Sequence, residues 1–266
     1  MRLKLNEERD IKMKELFIYR NLLLELVKRD IKKKYRRSVL GILWSMLNPF
    51  FTMLIMTMVF STFFKFAIDN FPVYLLTGQL IFNFYGEATN TAMGSVLENS
   101  ALIKKVYVPK YIFPIARVLS SGINFLLSLP GLVLVLFITK SDIKWTMGWS
   151  IVPITYLLIF CCGIGLVLST VAVYFRDMFH LYGVLLTALG YLTPIFYPKE
   201  IVPDRYAFLL YFNPLYHFVK MFRNLIYYRY LPGLYDHLIC IAISGITLAF
   251  GISIFLNNQK KFILYI

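Results

Sequence analysis

Apolar positions in this chain gather into long uncharged runs, separated by short polar or basic segments. A helix that crosses a bilayer needs about 20 apolar residues at 1.5 Å rise each. Six stretches offer that length: one within 41–64, then 71–97, 118–138, 151–175, 178–197 and 238–257. The second is the weakest, because Glu87 interrupts it and Gly78, Gln79, Asn83, Thr89 and Asn90 dilute it. In lipid such polar and small residues favour helix–helix contacts or a wet lumen. That span therefore faces the interior or a symmetry mate. The pattern predicts an all-α integral membrane protein with six transmembrane helices.

Four segments do not read as simple spans. Over 11–28, Leu16, Tyr19, Leu23, Leu26 and Val27 share a helical face opposite Lys14, Asn21, Glu25 and Lys28. This predicts an N-terminal amphipathic helix in the membrane interface, or a helix packed on a soluble partner. Over 98–110, Asn99 or Ser100 can cap a short helix and Pro109 can end it. Leu102, Ile103, Val106 and Tyr107 share one face there, which suits docking on a partner protein; a plain connection is the alternative. Over 199–237, two apolar stretches, 206–212 and 215–228, flank Asn213-Pro214. They predict short re-entrant or interfacial helices between spans five and six. Thirteen Phe and Tyr lie between Phe196 and Tyr235. They form an interfacial aromatic belt, or an outer gate including Tyr197, Tyr211, Phe212 and Tyr216. Finally, Asn48-Pro49 predicts a bent lead-in over 38–47 with the first span starting near Pro49.

Composition sharpens this picture. The chain has 266 residues, 59% of them hydrophobic, against about 45–50% in soluble domains. The net charge is +14, but thirteen of the 28 Lys and Arg fall in the first 37 residues. Lys28, Arg29, Lys32, Lys33, Lys34, Arg36 and Arg37 stand directly before the first apolar run. That placement fits anionic headgroups rather than nucleic acid. With the N-terminus cytoplasmic, 20 of the 28 basic residues fall on the inner side, as the positive-inside rule requires. Both termini are then cytoplasmic in the inner membrane. The organisation is a basic amphipathic region (1–37), a transmembrane domain (38–257) and a tail (258–266). Cys161, Cys162 and Cys240 all sit in apolar runs and read as small buried hydrophobes. No cleavable signal peptide is expected, since the first ten residues are polar and charged.

Candidate chemistry is sparse. The sequence has no GxxxxGK[ST] phosphate loop, GxSxG elbow or HExxH pair, and no metal-ligand spacing. A membrane-embedded glycosyl- or acyltransferase would need a clustered catalytic set. Glu87 is the one charge deep in a predicted span. Intramembrane charges are costly, so it is a candidate for a polar translocation path with Asn83 and Tyr85. Alternatively it is satisfied by Asn83, Asn90 or Thr91 one turn away. A single buried acid disfavours proton- or sodium-driven transport and suggests energy from another protein. Gly163 and Gly165 suit close helix packing.

The stretches RDIKKKYRRSVLGILWSMLNPF (29–50), FPVYLLTGQLIFNFY (71–85) and ENSALIKKVYVPKYIFPIARVLS (98–120) carry a resemblance, as do YFRDMF (174–179), YLTPIFYP (191–198) and YFNPLYHFVKMFRNLIY (211–227). In this order the chain resembles permease subunits of polysaccharide-exporting ABC transporters. The resemblance implies a six-helix homodimeric permease without its own ATP site. Two copies of a separate ATPase would bind ATP and Mg, and the substrate would be a lipid-linked polysaccharide such as an O-antigen, teichoic acid or rhamnan. It implies that Leu102, Ile103, Val106 and Tyr107 couple to the ATPase, and that 199–237 caps the exit. Lys32, Lys33, Lys34, Arg36 and Arg37 would hold the phosphate of the lipid carrier where it is admitted; setting the orientation of the first helix is the alternative role. A permease for a drug or other small amphiphile is the competing reading.

Overall fold

The computed structural model describes residues 19–36, 38–61, 68–106 and 108–266. Among these every regular element is helical. The longer ones are α1 (Arg20–Tyr35), α2 (Leu43–Val59), α3 (Phe71–Glu98), α4 (Ser100–Lys105), α5 (Ile112–Ile138), α6 (Ile151–Tyr174), α7 (Met178–Leu192), α8 (Ala207–Phe212), α9 (Pro214–Ile226) and α10 (Leu234–Asn258). A helix thus lies on each of the six apolar runs. Among the described residues three stretches are long and apolar enough to cross a membrane: Ile112–Ile138, Trp145–Tyr174 and Leu234–Asn258. The polar residues of α3 keep it out of that class despite its 28 residues. The helices α2 and α7 have 17 and 15 residues.

Nineteen residues of α3 are buried, which makes it the axis of the molecule. α5, α6 and α9 pack around it, and α2 and α7 add to its sides. Phe84 of α3 meets Phe125 of α5 with ring centroids 5.2 Å apart, and Phe160 of α6 meets Phe218 of α9 at 5.3 Å. α10 lies along α6 at a close approach made by two glycines. A Cβ on Gly163 would stand 2.6 Å from the Thr247 carbonyl, and one on Gly251 would strike the Gly163 carbonyl. Gly165 faces α3 instead, where a Cβ would stand 2.8 Å from Ala92.

The two ends differ in character. At one, here termed the basic end, α1 packs Leu26 and Val27 with Ile103, Phe113, Phe255 and Phe262. Tyr19 and Ile266 both pack on that cluster, so the start of the described chain and its last residue meet there. At the opposite end Asn70 donates from Nδ2 to the Thr139 hydroxyl (3.0 Å), and Arg229 pairs with Asp142 (3.1 Å).

Several boundaries depart from expectation. α1 does not stop at Lys28 but runs through Lys32, Lys33 and Lys34 to Tyr35. Its apolar face packs on α5 of the same chain; residues 11–18 of the expected amphipathic helix lie outside the described residues. Pro49 does not open α2 but sits buried inside it. α5 begins at Ile112, six residues before the apolar run, because Phe113 and Ala116 pack in the basic-end core. α4 ends at Lys105, since Val106 is already extended, so Pro109 is not what stops it. α9 does not lie flat on the surface. Its residues from Met221 to Ile226 are all buried.

Candidate functional site

A groove of about 510 Å³ runs between α2, α3 and α5 and opens beside the end of α1. Each of three helices gives it polar side chains at helical spacing. These are Ser45, Asn48 and Thr52 from α2; Gln79, Asn83 and Glu87 from α3; and Ser121, Asn124 and Ser128 from α5. Steps of three and four residues place each set on one face. Three otherwise apolar helices therefore turn their polar stripes to a common space. The stretch of α3 from Gln79 to Glu87 covers about 12 Å of rise, less than half of a hydrocarbon core about 30 Å thick.

A cross-helix network borders the groove mouth on the α1 side. Lys34 Nζ lies 2.9 Å from Glu87 Oε1. Asn124 donates from Nδ2 to the same oxygen at 2.7 Å, and its Oδ1 accepts from the Tyr35 hydroxyl at 3.0 Å. Lys34 also lies 5.8 Å from the Tyr35 ring centroid. Glu87 is thus satisfied from α1 and α5, not by Asn83, Asn90 or Thr91; the Thr91 hydroxyl bonds the Glu87 backbone carbonyl instead. Lys34 and Glu87 are brought together, and Asn83 lines the same space. Tyr85 points elsewhere, buried and stacked on Phe160 at 5.8 Å. Lys32, Lys33 and Arg36 are exposed in the same last stretch of α1 and the residue after it, beside Lys34 and Tyr35 in sequence. Arg37 lies outside the described residues.

A second network ties the basic end together. Arg117 of α5 pairs with Asp30 of α1 at 3.3 Å and with Glu98 at the end of α3. Arg29 reaches Asp30 at 3.1 Å and the Asn99 side chain at 3.2 Å. This network holds the root of α4. There Ile103 is buried and Leu102 half-buried, while Lys104, Lys105 and Val106 are exposed. Leu102 and Ile103 therefore anchor the segment, and Val106 stands outward; Tyr107 lies outside the described residues. Lys110 donates to the Gln259 carbonyl at 2.6 Å, and burial lowers its pKa.

The four aromatic gate candidates cluster at the opposite end without forming one surface. Tyr211 and Phe212 are exposed on α8, whereas Tyr216 is buried at the start of α9. Tyr211 and Tyr216 meet edge to face at 6.0 Å. Tyr197 donates its hydroxyl to the Tyr191 carbonyl at 2.7 Å. Asn213 caps α9 by accepting from the Leu215 amide at 3.0 Å, and donates to the Thr193 hydroxyl at 2.8 Å.

Sequence comparison meets this geometry at the same segments. A profile of the ABC-2 type transporter family matches residues 21–227. The chain belongs to the ABC-2 type transporter family. It is 31% identical over 256 residues to the O-antigen export system permease protein RfbA of Myxococcus xanthus, covering 94% of this chain and 97% of that protein. It is 28% identical over 245 residues to an O-antigen export system permease protein RfbA of Klebsiella pneumoniae, covering 91% and 93%. The polysialic acid transport protein KpsM of Escherichia coli is 25% identical over 240 residues, covering 87% and 91%. The groove, α4 and α9 of this ABC-2 chain all fall inside the family match, and α10 lies beyond it. As a family member with several long apolar helices it is a multi-pass membrane protein.

Sequence reasoning missed the α2 and α5 stripes and the Asp30–Arg117–Glu98 cluster. The signal for the stripes is present: Ser45, Asn48, Thr52 and Ser121, Asn124, Ser128 both run i, i+3, i+7 through apolar sequence. The ion-pair cluster joins residues 87 positions apart in the chain and has no local signature.

Proposed function

We propose that this chain is the permease subunit of an ABC transporter that exports a lipid-linked polysaccharide across the cytoplasmic membrane. It works as a homodimer with two copies of a separate ATPase, which hold the ATP and Mg. The six spans are α2, α3, α5, α6, α7 and α10, with both termini cytoplasmic. α2 and α7 reach across with their flanking residues, since 17 and 15 helical residues give only about 22–26 Å.

The observation that carries the reading is the polar groove with Lys34 at its mouth. Three helices would not hold nine polar side chains at membrane depth without a polar occupant or water. A glycan is polar, and its carrier phosphate suits the exposed Lys32, Lys33 and Arg36. The groove reaches under half the bilayer, which supports a path completed by a second subunit. One relative is named for O-antigen export and another for polysialic acid transport, which supports the same substrate class.

The motion follows from the contacts. The ATPases would push on α4 through Val106 and Tyr107. Leu102 and Ile103 would pass the push into the basic-end core, and the Asp30–Arg117–Glu98 cluster would pass it to α1, α3 and α5. Tyr197, Tyr211, Phe212 and Tyr216 would line the exit.

Depletion of this protein in its own cell tests the reading. Lipid-linked glycan should accumulate on the inner leaflet while surface glycan disappears. Normal glycan on both sides would overturn it.

A further inference from the structure

A separate cavity of about 370 Å³ lies at the opposite end, between α3, the 194–200 segment, α9 and the turn after it. Its volume falls within the range of small-ligand pockets, about 300–1,000 Å³. Arg223 of α9 lines it and is only 5% exposed. Its guanidinium sits 3.6 Å from the Tyr74 ring centroid. It donates to the Pro194 carbonyl (3.0 Å) and the Tyr74 carbonyl (3.2 Å). Gly78 makes room for it, since a Cβ there would stand 2.7 Å from its Nη2.

Those carbonyls hold the fork but do not cancel its charge. Among the described residues Arg223 has no carboxylate partner, and its Nε–H is buried without an acceptor. Beside it Asn224, 2% exposed, has a buried Nδ2 that is also without an acceptor. Lys220 is taken by Asp236 at 2.7 Å, and Lys199 and Glu200 are opposite charges on the exposed rim. Two residues of the lining, Arg223 and Asn224, therefore each keep a buried donor unanswered, which is costly. Tyr216, Tyr228 and Tyr230 add ring faces and hydroxyls.

We infer that this cavity is an oxyanion-binding site for a carboxylate or phosphate group carried on a sugar or a lipid headgroup. The guanidinium and the Asn224 amide answer the oxyanion, and the tyrosines receive the ring or glycerol that bears it. Assigning the ligand to the exported polymer rests on the proposed function; oxyanion binding does not.

The test uses the full chain in phosphatidylcholine nanodiscs, titrated by calorimetry with glucuronate, glucose and inorganic phosphate. Glucuronate and phosphate should compete for one saturable site, with glucose at least about tenfold weaker. Arg223→Gln and Asn224→Leu should each weaken glucuronate about tenfold or more. Asn224→Leu removes a donor that has no partner, so its thermal melt should match the parent and exclude misfolding. Glucuronate tighter than phosphate assigns a sugar acid. Loss of phosphate binding in discs containing phosphatidylglycerol, with glucuronate no tighter, assigns a headgroup. Absence of saturable oxyanion binding, or binding unchanged in folded Asn224→Leu, overturns the site. Either result stands apart from the depletion experiment, because it is read on purified protein.

Discussion

The Lys34–Glu87 pair separates two roles for one ion pair. Its side chains are 44% and 37% exposed, and pairs of that exposure contribute about 0.2–1 kcal/mol. Glu87→Gln should therefore leave insertion intact and lower the thermal midpoint only slightly. The exchange Lys34→Glu with Glu87→Lys restores the attraction but removes the cation from the end of α1. If Lys34 receives the carrier phosphate, the exchanged protein should accumulate normally and export poorly. Full export by the exchanged pair would reduce the contact to structure. Asp30→Asn tests the other cluster. Asp30 and Arg117 are 6% and 14% exposed, where breaking a pair costs up to about 3–5 kcal/mol, reduced here because Glu98 still holds Arg117. The expected readout is a large fall in detergent-resistant protein. Only part of this was legible in the sequence. Glu87 was marked as a buried charge by its apolar surroundings, but its partner comes from another helix, 53 positions away. A reading along one helix sees Asn83 and Thr91 and cannot see Lys34.

At the scale of elements, the closest packing is between α6 and α10. Gly163→Val should force the helices apart or displace the Thr247 backbone, at about 1–3 kcal/mol, seen as a lower melting temperature and lower abundance. Gly245→Ala on α10 is the control: nothing lies within 4 Å of its Cβ position, and alanine is the better helix former. Equal loss in both would show that the close approach at Gly163 is not what is at stake. Asn213→Ala should cost about 0.5–2 kcal/mol from the lost cap, and it also leaves the Thr193 hydroxyl without that donor, loosening α9 against α7. Helices were legible wherever apolar length or turn chemistry spoke: Asn213-Pro214 marked the start of α9. Pro49 misled, because a proline in lipid is tolerated when neighbouring helices and hydroxyls satisfy the freed backbone. The Ser45 hydroxyl, one turn before it, donates to the Leu127 carbonyl of α5 at 3.3 Å, which ties α2 to its neighbour at that turn. α1 ran past Lys28 because a basic run is also a good helix former, and the hydrophobic pattern alone carries no signal to continue.

For the whole molecule, what the sequence lacked was the arrangement of stripes around α3, since a stripe shows a face but not which helix it meets. What it offers is an expectation of sidedness. Packing of Tyr19, Ile103 and Ile266 against one cluster means that α1, α4 and the C-terminal segment share one end of the fold. The order of ends alternates along the chain: Glu98 and Arg117 join at the basic end, while Asp142 and Arg229 join at the other. These contacts give the relative ends, and the charge bias predicts which is inner. A single-cysteine series decides it in intact cells with a maleimide that cannot cross the membrane. The native Cys161 and Cys240 are buried and Cys162 is partly so, and their removal gives a clean background. Arg205→Cys, exposed before α8, should be labelled from outside. Lys261→Cys, exposed after α10, should be labelled only once the membrane is opened. Labelling of Lys261→Cys in intact cells would invert the molecule. It would then place Lys32, Lys33 and Arg36 on the outer face, where a carrier lipid awaiting export could not meet them.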